Sequence, residues 1–157
     1  MFSGCTHKNN SAPPVPDLNF CGDISVTYKN YTLECEIDNK IASGCVITVK
    51  KPALISGLSM TVKDGTCTFY MGDISYEVDP ETMKKTEFAT SLSEALKNVL
   101  NTTTYEKLEN GYWKYTGQTQ LGKFILLQDS ESGYPVSLRI PDTDLHVKFS
   151  NMKSNVN

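Results

Sequence analysis

The sequence predicts one antiparallel, β-rich domain carrying a single helix. Three observations predict it: period-two alternation of apolar and polar residues through most of the span from Leu18 to Lys153, tight-turn dipeptides at Asp64-Gly65 and Asn110-Gly111, and one isolated stretch of helical spacing near Leu92. The chain has 157 residues, 39% apolar and 21% charged. That length buries roughly 70% of the unfolded surface around one core, so one domain is expected.

The strands follow from the turns. Asp64-Gly65 suits a two-residue type I′ hairpin, which pairs Val62 with Cys67, Met60 with Phe69 and Leu58 with Met71, all on one face. Asn110-Gly111 predicts a second hairpin with Leu108 opposite Trp113, and this register sets Lys107 against Lys114. A third hairpin is expected near Asp38-Asn39-Lys40, where Tyr31, Leu33, Cys35 and Ile37 alternate with Thr32, Glu34, Glu36 and Asp38. Centring its turn on Lys40 opposes Tyr31 to Val49, Leu33 to Ile47 and Cys35 to Cys45. Further strands are expected at Asp23 to Asn30, Gly122 to Gln128, Pro135 to Ile140 and Leu145 to Ser150, the last with Leu145, Val147 and Phe149 inward and His146 and Lys148 outward.

The rhythm changes once. Leu92, Ala95, Leu96, Val99 and Leu100 recur at helical spacing behind the capping box Ser91-Leu-Ser-Glu94. An isolated helix of about three turns is marginal in water, so its apolar stripe must lie on the sheet. Asp79-Pro80 signals the start of a second short helical turn.

Met1-Phe2-Ser3-Gly4-Cys5 resembles the end of a bacterial lipoprotein signal peptide, in which small residues precede the cysteine that takes the lipid; Phe2 stands where Leu is usual. Residues 1-18 therefore read as a lipobox remnant and a flexible tether, with Pro13, Pro14 and Pro16 excluding helix and sheet interior. Residues 19-152 read as the single domain and 153-157 as a disordered tail. The expected location is extracytoplasmic, lipid-anchored through Cys5 at the cell membrane. A net charge of −3 with scattered Lys and Arg gives no basic field, so nucleic acid is not an expected partner.

Chemistry-bearing motifs are sparse. Apart from Cys5 there are Cys21, Cys35, Cys45 and Cys67; the hairpin register favours a Cys35 to Cys45 disulfide, with four reduced thiols as the other outcome. Cys67 reads as a small apolar residue beside Val62. No Cys-x-x-Cys occurs to suggest a redox or zinc site, and no Gly-rich phosphate loop precedes a helix. Of the two histidines His7 lies in the tether, so a nucleophile–base device has only His146 to use, and alternation turns it to solvent. The acidic row Glu34, Glu36 and Asp38 has the ligand type for a hard cation, but exposed strand positions carry charge for solubility. Catalytic residues, metal ligands and cofactors are accordingly expected to be none, and the protein is expected to be no enzyme.

What remains is an excess of large apolar strand residues. Leu54, Leu58, Met60, Phe69, Met71, Trp113, Tyr115, Phe124 and Leu126, with Leu96 from the helix, are either an ordinary core or the walls of a groove left by a curved sheet that does not close.

The order of elements, the segment Lys51-Pro-Ala-Leu-Ile-Ser-Gly-Leu58, and Asp129-Ser-Glu-Ser-Gly-Tyr-Pro135 leading into Val136-Ser-Leu-Arg-Ile-Pro141 and Leu145-His-Val-Lys-Phe-Ser-Asn151 together resemble the LolA/LolB-like lipoprotein-carrier family and its Gram-positive lipoprotein relatives, over approximately residues 20 to 150. The resemblance implies an α+β, mainly β fold: a strongly curved antiparallel sheet forming a half-open barrel covered by one or two helices, with lipid chains held in its apolar interior. The expected function is a monomeric, membrane-tethered binder of a lipid or other apolar ligand. The alternative is a cell-envelope protein-interaction module without a small-molecule ligand. A closed lipocalin-like barrel lacks its Gly-x-Trp near the first strand, the sole tryptophan being Trp113.

Overall fold

The computed structural model describes residues 13, 15–77, 87–101 and 104–155. Among them are eleven strands and one α-helix: β1 (Phe20–Tyr28), β2 (Tyr31–Lys40), β3 (Gly44–Lys51), β4 (Ser59–Lys63), β5 (Thr66–Met71), β6 (Ile74–Glu77), α1 (Glu87–Asn98), β7 (Tyr105–Lys107), β8 (Tyr112–Thr119), β9 (Gly122–Asp129), β10 (Pro135–Ile140) and β11 (Leu145–Ser154). Cys5 and the Asp79-Pro80 turn lie outside the described residues.

All the strands form one antiparallel sheet in the order β6-β5-β4-β3-β2-β1-β11-β10-β9-β8-β7. Two meanders, β1 to β6 and β7 to β11, are joined by pairing of the first strand with the last. The edges are therefore β6 and β7, consecutive in sequence but at opposite ends of the sheet, and the chain between them carries α1. This helix packs on β8 from one meander and on β3, β4 and β5 from the other. A single helix reaches both halves only if the sheet curves around it. The result is the helix-covered, half-open barrel that the family resemblance implies.

Alternation places the core on the concave face. Ile24, Val26 and Tyr28 of β1, Cys35 and Ile37 of β2, and Cys45, Ile47 and Val49 of β3 are buried, as are Leu145, Val147 and Phe149 at the other side of β1. At about 25 cal/mol per Å2, such side chains supply the main favourable term for folding. From α1, Phe88, Ala89, Leu92, Ala95 and Leu96 complete the core, followed by Val99.

Several expectations are corrected by backbone geometry. The β2–β3 turn is Ile41-Ala42-Ser43, not centred on Lys40, so Cys35 faces Val49 and Cys45 faces Asn39. Gly44 decides it: its φ is +104° and a Cβ there would collide with the Val62 carbonyl oxygen, so this position belongs at the start of β3, where only glycine fits. The four-residue offset separates Cys35 from Cys45 by about 13 Å along the sheet, beyond disulfide reach. Cys21, Cys35, Cys45 and Cys67 are all free thiols.

The Asn110-Gly111 hairpin slips by one residue. Leu108 and Tyr112 close a three-residue loop with Gly111 at φ +86°, which sets Lys107 opposite Trp113 and Glu106 opposite Lys114. The slip replaces a Lys–Lys opposition with a Glu106–Lys114 ion pair of 2.7 Å.

The Asp64-Gly65 hairpin has the expected register at Val62 with Cys67 and at Met60 with Phe69. Its ladder ends at Ser59 with Tyr70, so Leu58 and Met71 are not paired. The helix begins at Glu87 rather than at Ser91, which is buried inside it; Phe88 extends the apolar stripe one turn earlier than the capping box suggested. Leu100 lies past its end and is 42% exposed.

Both termini of the domain extend further than expected. Leu18 is buried, and the Asp17 amide donates to the Gly133 carbonyl at 3.2 Å. At the other end β11 continues to Ser154, opposite Phe20. The Asn155 amide donates to the Phe20 and Asn39 carbonyls at 3.0 and 3.1 Å.

Candidate functional site

Two concavities differ in chemistry. The wider, of about 750 Å3, lies on the outer face between β1, β2, β3 and the end of β11. Three of its charges partner one another: Lys50 Nζ stands 2.7 Å from Asp23 Oδ1 and 3.0 Å from Glu36 Oε1. Asn151 donates to the other Asp23 oxygen at 2.8 Å. That hydrogen bond and the Lys50 ammonium hold the Asp23 carboxyl below the usual carboxylate range. Lys51 pairs with Glu34 at 3.0 Å, and Asn155 donates to Asp38. Glu34 and Glu36 are thus each paired with a lysine, and Asp38 accepts a hydrogen bond. Among the described residues no group of three acidic, His or Cys side chains is placed to hold a metal ion.

The second concavity, of about 220 Å3, lies between the concave face and the first turn of α1. It is smaller than the outer groove but almost wholly apolar, and it is the better candidate because the outer groove's Lys50, Asp23 and Glu36 are engaged with one another. Period two brings Val26 and Tyr28 from β1, Val49 from β3, Met60 from β4 and Phe69 from β5 to one face, and Phe88 of α1 forms the opposite wall. Tyr31 and Leu33 from the start of β2 border it on one side, with Ile55 and Leu58 on another. The last two come from a loop between β3 and β4 that folds back as a 3-10 turn over Ala53–Ile55. It is fixed to β3 by two hydrogen bonds of 2.8 Å, Val49 amide to Leu58 carbonyl and Gly57 amide to Val49 carbonyl. Gly57, at φ +92°, allows that return.

The rim is polar at one place. Tyr28 Oη donates to Glu87 Oε2 at 3.3 Å, and its ring packs tilted against Phe88 with centroids 6.0 Å apart. Lys29 Nζ stands 4.9 Å from the centroid of the same tyrosine ring.

Of the residues expected to form a groove, Leu58, Met60 and Phe69 line this cleft. Leu96, Trp113, Tyr115, Phe124 and Leu126 are instead buried in the core and do not border it. Tyr115 Oη donates to the buried Gln128 at 2.9 Å, and burial pushes the phenol up to about 12. Leu54 and Met71 do not line the cleft either: Leu54 is 92% exposed at the crown of the 3-10 turn, and Met71 is exposed at the β5–β6 turn. Sequence reasoning did not pick out Val26, Tyr28, Tyr31, Leu33, Val49 or Phe88. The alternation of β1 to β3 carried the signal for the strand residues, and the helical spacing of Phe88 to Leu92 carried it for Phe88.

The cleft and the amino-terminal segment lie at opposite ends of β1. The segment joins the body before Phe20, beside Gly133, whereas the cleft opens near Tyr28 and Tyr31. Nine residues of strand at about 3.3 Å each separate them by nearly 30 Å.

No family model and no curated protein sequence matches the chain. Solved structures do. An uncharacterized conserved protein from Thermus thermophilus superposes with a TM-score of 0.53 at 10% identity, over 88% of this chain and 79% of that one. This likeness supports a shared fold. Also similar are LolA superfamily protein NE2245 from Nitrosomonas europaea (TM-score 0.44, 11% identity, 91% of this chain and 90% of that one) and LprF from Mycobacterium bovis (TM-score 0.39, 12% identity, 87% of each). Among the described residues no helix is long and apolar enough to cross a membrane.

Proposed function

We propose that this protein is a non-enzymatic, extracytoplasmic lipoprotein that is anchored through Cys5 and binds an apolar ligand in the cleft between α1 and strands β1 to β5. One observation carries the ligand reading: an apolar opening of about 220 Å3 persists where a domain optimised only for stability would have packed side chains. The anchoring reading draws on the Phe2-Ser-Gly-Cys5 sequence and on the distance between the amino-terminal segment and the cleft.

Native mass spectrometry of protein purified from its own cells tests the ligand, together with displacement of a fluorescent fatty acid. Co-purified lipid, or displacement that is lost on filling the cleft with Val49→Trp, is the expected result. An empty protein that displaces no probe overturns it. Metabolic labelling with a radioactive fatty acid tests the anchor; the wild-type protein takes up label and Cys5→Ser does not.

A further inference from the structure

Basic side chains that are scattered along the sequence are gathered by strand register on the outer face of β8 to β11. Tyr115, Phe124, Leu138 and Val147 are buried on the concave face, so alternation turns Lys114, Lys123, Arg139, His146 and Lys148 the other way. His146 stands directly opposite Arg139, and Lys148 follows His146 by one period along β11. Like charges at opposed positions of a sheet repel. Among the described residues Lys123, Arg139 and Lys148 make no ion pair, whereas Lys50 and Lys51 of the first meander pair with its acids.

The strands beside this row offer it no acid. β1 sets Thr27 against His146 and Ser25 against Lys148, and β10 sets Ser137 against Lys148. At one end Lys29 and Asp144 flank the Tyr28–Leu145 pair, and Asp142 rests against Gly122 of β9. At the other side Glu106 is paired with Lys114 at 2.7 Å, and Asp129 is engaged by the Glu131 amide and the Ser132 hydroxyl. Burial first, and then the charges of Arg139 and Lys148, push the His146 pKa below its ordinary value. A face that holds its cations together without acids is stabilised by anions from outside.

We propose that this face docks on an anionic lipid surface, with Arg139, His146 and Lys148 against the headgroups. Two half-buried apolar residues lie among the cations: Ile125 is opposite Arg139, and Leu127 stands between Ser137 and Lys114. Such a mixture suits the membrane interface, where apolar side chains enter and long basic ones reach the headgroups. Neither concavity described above reaches this face, so it has no pocket for a rigid partner to key into, whereas mobile headgroups gather beneath fixed cations. The choice of a membrane over an acidic protein rests on the anchoring reading above. Its geometry allows the contact: Asp17 is fixed beside Gly133, and the chain from Cys5 to Asp17 spans up to roughly 40 Å, twice the roughly 20 Å from Gly133 along β10 to Arg139.

The test is flotation of the full chain carrying Cys5→Ser, so that no attached lipid contributes, with vesicles of phosphatidylcholine alone or mixed with phosphatidylglycerol. Binding is expected only to the mixed vesicles, and to weaken as salt rises from about 0.1 to about 0.5 M. Arg139→Gln with Lys148→Gln is expected to weaken it about tenfold to thirtyfold, each surface cation counting for roughly fivefold, with no loss of thermal midpoint. Lys40→Gln with Lys63→Gln changes the net charge equally but lies on the first meander, and is expected to stay within about twofold. In a His7→Gln background, lowering the pH from about 7.5 to about 5.5 protonates His146 and should strengthen binding about two- to fivefold. Adding His146→Gln should remove that gain.

Equal binding to neutral and mixed vesicles overturns the proposal, as does equal weakening by the two charge-matched pairs. Salt-sensitive self-association without vesicle binding, lost in the Arg139 and Lys148 pair, assigns the face to a second copy of the chain and overturns it too. Fatty-acid labelling of Cys5 without any vesicle binding by the Cys5→Ser chain overturns the docking face alone. Vesicle binding without labelling overturns the anchor alone.

Discussion

Replacing Phe88 and Phe124 by alanine, one at a time, asks whether the cleft is open in solution. Both rings are buried, at 4% and 0% exposure, and a volume-blind view gives both substitutions the same cost. Their surroundings differ. Phe124 is enclosed on all sides and presses on Gly117 so closely that a Cβ there would collide with its ring. Removing it loses about 2.5 kcal/mol of transfer free energy. It also leaves a void on the order of 100 Å3, which at ~24 cal/mol per Å3 costs about 2 kcal/mol more and brings the total near 5 kcal/mol. Phe88 instead forms one wall of a space that already reaches solvent. Its removal loses the transfer contribution and about 1 kcal/mol from the ring contact with Tyr28, but the new volume joins the cleft and the void penalty falls away. Phe88→Ala is therefore expected to cost about 3.5 kcal/mol. Urea unfolding monitored by Trp113 fluorescence measures both, with equal m-values confirming that the same surface unfolds. Equal destabilisation by the two substitutions would mean that Phe88 is sealed in a closed core, and the cleft would be refuted with it.

Other outcomes follow from particular contacts. Gly44→Ala is expected to lose at least about 2 kcal/mol, because the φ of +104° strains any side chain and the new methyl meets the Val62 carbonyl; Gly57→Ala, also at positive φ but with open space around it, should lose about 1 kcal/mol in the same urea assay. Burial pushes the Cys35 and Cys45 thiols up to about 12 and Cys67 up to about 11, so iodoacetamide at pH 8 should label Cys21 first in the folded domain; equal labelling of Cys45, read by peptide mass spectrometry, contradicts its burial on the concave face. The Asp129 carboxyl is held low by the Glu131 amide and the Ser132 hydroxyl, so its contribution is present above about pH 4 and fades as pH falls through its folded value. Stability plotted against pH in that acid range should accordingly be less steep in Asp129→Asn than in the wild type, and an unchanged slope assigns the acid sensitivity elsewhere.

The sequence by itself determined which residues face inward. Alternation along β1, β2, β3, β9 and β11 survives every correction, because a side-chain period of two depends only on local backbone geometry and on which face is buried. Even the β2–β3 offset kept parity: moving the turn by two residues changed the partners of Cys35 and Cys45 but left both on the concave face. The Asp64-Gly65 register was legible for the same reason, since a two-residue turn leaves no freedom in its pairing.

Tertiary structure decided what the inward residues do. Met60 and Trp113 carry the same kind of signal in sequence, yet one lines the cleft and the other belongs to the core. The difference lies in where α1 crosses the sheet, which depends on β1 pairing with β11 across more than a hundred residues of chain. No local pattern encodes that pairing. The β3–β4 loop shows the same limit within one segment: Leu54, Ile55 and Leu58 are equally apolar, but the hydrogen bonds of Val49 turn Ile55 and Leu58 over the opening and leave Leu54 in solvent. Hydrophobicity fixes the face a residue prefers. Whether that face meets another side chain or an open cleft is settled by the distance between two elements far apart in sequence.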